Sequence, residues 1–93
     1  MPAVVPQVAT VTAFLKARRI THLRCRTRAG AIIVESGPKA DPISHVRLRK
    51  LAATVWAVDE FHHSGRWAPL PIQAPLAEAL ATLVADFSWL LEP

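Results

Sequence analysis

The chain has little to offer redox or zinc chemistry. Cys25 is its one cysteine, so no intramolecular disulfide can form, and a reducing, cytoplasmic setting is expected. Only three glycines are present, and none belongs to a glycine-rich phosphate loop or a G-x-S-x-G nucleophile turn. Tyrosine is absent, and the tryptophans read as residues of the core or its margin, which argues against stacking on single-stranded bases. No apolar run approaches the roughly 18 residues that span a bilayer, so no membrane partner is expected. Charge is scarce as well: 19% of residues are charged, against about 25% in an ordinary soluble domain.

What is present is apolar. Hydrophobic residues make up 52% of the 93, enough for one core and not for two. So little polar surface on so short a chain implies that a partner covers part of it, and self-association is the first expectation. The N-terminus, MPAVVPQVATVTAFLK, is apolar enough for a signal peptide. It lacks a basic leading region, however, and Pro2 and Pro6 interrupt the run, so it reads as a structural helix. Charge is also unevenly placed. Residues 1–50 carry ten Lys and Arg against Glu35 and Asp41; residues 51–93 carry Arg66 against five acids. Such a dipolar molecule attracts a polyanion at one end or pairs with itself head to tail.

Periodicity places the elements. Val8, Val11, Phe14 and Leu15 form one stripe of a helix over 6–19. In HLRCRTRAG, an arginine occupies every second position from Arg24 to Arg28. A two-residue turn at Ala29-Gly30 sets Thr27 opposite Ile32 and Cys25 opposite Val34 on an apolar face. The same register puts Arg28 with Ala31, Arg26 with Ile33 and Arg24 with Glu35 on the other face, together with His22. SGPKADP is a loop by its Gly-Pro and Asp-Pro pairs. HVRLRKLAATVWAVDEF admits a helix started at Asp41-Pro42, but Val46, Leu48, Thr54, Trp56 and Val58 alternate, which favours one long, bent strand whose later part is apolar on both faces. A turn at HHSG leads to a short strand near Arg66-Trp67, ended by Pro69 and Pro71. Leu76, Leu80, Leu83, Phe87 and Leu90 mark a final helix over 75–91. The expected fold is α+β, a single domain of order α-β-β-β-β-α. In it an antiparallel sheet of about four strands packs against N- and C-terminal helices.

Three places could carry function. The first is a basic sheet face of His22, Arg24, Arg26 and Arg28, joined by His45, Arg47 and Arg49 if the long strand lies beside the hairpin. Guanidinium forks suit phosphate, so this face suggests nucleic acid or another polyanion; the plain alternative is a solubilising surface. The second is a pair of candidate protein-contact surfaces: Leu51, Ala53 and Val55 on the two-faced strand, with Trp67 as an anchor, and the small-residue stripe Ala77, Ala81 and Ala85. The third is a weak metal candidate at DEFHHSGRW, where His62 and His63 sit beside Asp59 and Glu60. It lacks zinc-site spacing, so solvated turn residues are expected there, with no cofactor. Cys25 reads as a structural thiol, because His22 lies on the other face of its strand.

The helix–strands–helix order and the ESGP loop at Glu35–Pro38 resemble a double-stranded-RNA-binding domain. That family grips RNA with lysines at the start of its last helix, whereas QAPLAEALA, Gln73–Ala81, has no base. The chain is therefore not read as a member. The expectation is a small non-catalytic interaction module, self-associating or bound to a protein partner. Nucleic-acid binding through the arginine face is the alternative, and a small metal-dependent enzyme a distant third.

Overall fold

The computed structural model describes residues 5–92, so Pro2 lies outside the described residues. A first helix, α1 (Val5–Ala17), leads into five strands: β1 (Arg24–Arg28), β2 (Ala31–Ser36), β3 (Ile43–Ala52), β4 (Val55–Phe61) and β5 (Trp67–Ala74). The chain closes with α2 (Leu76–Asp86) and a 3-10 helix, Ser88–Leu91. Every strand pairs antiparallel with the next in sequence, giving a meander in the order β1-β2-β3-β4-β5.

The first hairpin has the register that the alternation predicts, Arg24 with Glu35 through Arg28 with Ala31. Ala29 and Gly30 both take positive φ, 52° and 79°. Two consecutive left-handed residues make the tight turn whose twist matches that of paired strands. Helix α1 buries the expected stripe, Val11 and Leu15, and packs on β1.

The fold class stands as expected, with five strands in place of about four. The expected long strand is two, reversed at Ala53-Thr54. Neither residue is a strong turn former, so the sequence gives no punctuation there. The alternation still runs true on each side of the turn: Val46, Leu48, Trp56 and Val58 all enter the core, and only Thr54 is displaced to the exposed turn. The last strand also runs through Pro69 and Pro71 rather than ending at them. β5 is an edge strand, and an edge is where a sheet tolerates residues that cannot donate a ladder hydrogen bond.

Both helices lie on one face of the sheet, over a core that includes Val11, Ile32, Val34, Val46, Leu48, Trp56, Val58, Leu80 and Leu83. α2 ends earlier than its apolar stripe suggests, because Phe87 leaves helical geometry and the chain tightens into the 3-10 helix. That segment is tied down by two imidazoles. His22 Nε2 donates to the Leu91 carbonyl at 2.6 Å and His45 Nδ1 to the Leu90 carbonyl at 2.8 Å. The other nitrogen of His45, Nε2, lies 2.7 Å from Ser36 Oγ, which donates to it when the ring is neutral. His45→Ala strands a carbonyl and a hydroxyl, so about 1–3 kcal/mol of stability should be lost. Urea unfolding measures that loss, and hydrogen exchange should show the amides of residues 88–92 opening with it. An unchanged exchange pattern would mean the latch holds nothing.

Candidate anion-binding face

The sheet face opposite the helices carries most of the arginines. β2 sits second from the edge, and its residues on this side are Ala31, Ile33 and Glu35, all buried. Ile33 pairs with Arg26 on one side and Arg47 on the other, so two arginine stems flank it. β4 contributes Ala57 and Asp59 to the same side, through the pairs Arg49 with Ala57 and Arg47 with Asp59.

Two carboxylates organise the arginines. Glu35, 3% exposed, accepts from Arg24 Nε at 3.1 Å and Arg26 Nε at 2.6 Å, one on each oxygen. Asp59, 2% exposed, accepts from Arg47 Nε at 2.9 Å and from Arg49 through Nε at 2.6 Å and Nη2 at 3.0 Å. Burial pushes the Asp59 carboxyl up. The hydrogen bonds and charges of Arg49 and Arg47 outweigh it and hold the group below the ordinary carboxylate range. Arg49 is raised in turn, chiefly by its hydrogen bond to Asp59. Both acids lie at the roots of the guanidinium groups, which remain partly exposed above them.

Above this layer a cavity of about 760 Å³ runs from the β1–β2 turn to the β4–β5 turn. Arg26, Arg28, Arg47, Arg49 and Lys50 line it, Ile33 forms part of its floor, and no carboxylate reaches its wall. Phe61 and Trp67 close one end. Their rings meet edge to face at 5.1 Å, and the Arg47 guanidinium lies over the Trp67 ring at 4.9 Å. Arg24 lies off this cavity; it borders a smaller depression with Lys39 and Glu35, and its Nη1 donates to the Gly37 carbonyl.

Four of the five arginines expected on the basic face are therefore brought together, and the two histidines are not. His22 precedes the first paired residue, so strand alternation does not govern it. His45 is displaced by a bulge between Val34 and Glu35: Val34 pairs with Val46 but Glu35 with Ser44, which leaves His45 unpaired and turned to the helix side. The expected protein-contact residues fall on both sides of the sheet. Leu51 and Trp67 belong to the cavity, Ala53 is exposed in the β3–β4 turn and Val55 is half-buried. Ala77, Ala81 and Ala85 are exposed on α2, on the other side of the sheet.

His62 and His63 stack at 4.0 Å in the β4–β5 turn, with His62 bonded to Ser64. Asp59 is engaged below, and among the described residues no three potential ligands converge on a metal position. Cys25 is half-buried; burial pushes its thiol up, opposed by a hydrogen bond with Thr12, so it remains a neutral thiol at physiological pH.

No family model matches the chain, and neither a curated protein nor a solved structure matches it significantly.

Sequence reasoning placed Ile33 on this face but missed Asp59, Lys50 and Phe61 as parts of it. A signal for Asp59 was present: it is the acid directly after Trp56-Ala57-Val58, on the opposite alternation to both core residues. It finds Arg47 only once the turn at Ala53-Thr54 is placed.

Proposed function

We propose that this protein is a non-catalytic binding module whose open sheet face takes a phosphate-bearing anion. One observation carries the reading: five cationic side chains line one cavity while the two nearby carboxylates lie buried beneath, with every oxygen engaged. A ligand meets the guanidinium groups of Arg26, Arg47 and Arg49 already fixed at Nε, with amino groups left to donate, which suits the bidentate recognition of phosphate. Buried acids on an otherwise coverable face are also a poor choice for stability alone, since apolar substitutes often do as well.

Calorimetric titration with inorganic tripolyphosphate at several salt concentrations tests this. Affinity should fall steeply between about 50 and 200 mM salt, and Arg26→Ala with Arg47→Ala should weaken it by more than about tenfold while the fold is retained. Absence of binding at the low salt, or affinity indifferent to salt, removes the proposal.

A second reading keeps the self-association expected from composition. Ile43, Leu51 and Trp89 are each about half exposed, at 58%, 48% and 57%. A single monomeric species in sedimentation, across micromolar concentrations, rules it out.

A further inference from the structure

We propose that the anion is a single-stranded nucleic acid, with one unstacked base laid against the Phe61–Trp67 wall while its phosphates lie along the arginine rows. This rests on the anion-binding reading and narrows it by three observations. The first is the aromatic pair itself. An exposed Phe61 and a half-buried Trp67 stand inside a cationic cavity rather than in the core, locked edge to face and braced by Arg47. Inorganic phosphate makes no use of such a wall, whereas a base has a π-face to set on it.

The second is the recess of the cations. Arg47 and Arg49 rise from the middle strand, and their side chains are only 29% and 39% exposed. A duplex carries its phosphates on a stiff convex surface with its bases stacked inside, so it meets the rim and offers Trp67 nothing. A flexible single strand enters the groove.

The third is the floor. Arg26 and Arg28 on β1 and Arg47 and Arg49 on β3 flank β2, about 10 Å apart at two strand spacings, with apolar Ile33 between them. Two cationic rails over an apolar bed fit a chain that is charged along its backbone and apolar on its ring faces. Arginine beside aromatic rings is the usual apparatus of sequence-tolerant single-strand binding.

The test uses the full chain and three labelled probes in fluorescence anisotropy: a mixed-sequence DNA strand of about 12 nucleotides, within the range of ordinary single-strand sites; the same strand annealed to its complement; and an abasic strand of equal length and charge. The intact single strand should bind at least about tenfold more tightly than either of the others. Trp67→Leu should cost it about fivefold or more while leaving the abasic strand nearly unaffected. Phe61→Ala, at an exposed position, should show the same selective loss and covers the case in which the Trp67 variant does not fold. Equal affinity for all three probes, or equal losses across them, overturns the single-strand assignment while tripolyphosphate binding leaves the anion reading standing. If tripolyphosphate and all three strands fail to bind, the anion reading itself has failed and this inference with it.

Discussion

Asp59→Ala should lose about 2–3 kcal/mol of stability and most of the anion affinity at once. The carboxylate is buried and accepts three charged hydrogen bonds, from Arg47 Nε and from Arg49 Nε and Nη2. Charged hydrogen bonds contribute about 1.5–3 kcal/mol each when measured singly. The total is held down because both guanidiniums are partly exposed and can return to water. Loss of binding follows from geometry: with Asp59 gone, Arg47 and Arg49 repel each other and no longer point together into the cavity. A triple substitution, Arg47→Met, Asp59→Leu and Arg49→Met, separates the two effects. Replacing a whole buried ionic cluster by apolar residues is often neutral or stabilising, so the triple variant should be at least as stable as the parent and still bind nothing. A triple variant that bound tripolyphosphate normally would dissociate this triad from function. The pH dependence has a definite sign. A carboxyl whose pKa is depressed on folding contributes stability that is fully present above its unfolded value near 4 and is lost as pH falls through the lower folded value. Acid unfolding of the parent below about pH 4 should therefore be steeper than that of Asp59→Ala.

Leu48→Ala carries the other large effect, about 3–4 kcal/mol of destabilisation. Leu48 is 0% exposed, paired with Ile32 on one side and Val58 on the other beneath the helices. Truncation leaves a cavity that neither strand can close. A domain of this length has a total stability of about 5–15 kcal/mol, so the midpoint of thermal unfolding should fall by roughly 15 °C or more. Leu51→Ala, three residues on and 48% exposed, is the control and should stay within about 0.5 kcal/mol. Equal losses at both positions would contradict the turn at Ala53-Thr54, since a continuous two-faced strand would bury Leu51.

Much of the fold was legible because strand and helix periods are local properties. Leu23 and Cys25 against Arg24 and Arg26, then Val46 and Leu48 against Arg47 and Arg49, place residues on faces whatever lies beside them. The bulge that removes His45 from the basic face was not legible, because a bulge depends on how two strands accommodate each other. Trp67 was read as an anchor for a protein partner. Its companions Phe61 and Arg47 become visible only when β4 and β5 are paired.

The sequence by itself determined the α+β class, the first hairpin and its register, the terminal helices and the arginines on one face. Alternation and turn chemistry act over a few residues, and here they agree. Only the tertiary structure decided that Asp59 lies under Arg47 and Arg49, that Phe61 and Trp67 close the cavity, and that His22 and His45 hold the C-terminal turn. The first two depend on pairing across turns the sequence does not punctuate or specify, and the third joins segments 69 and 45 residues apart. Strand order and bulges set them, and no local pattern encodes either.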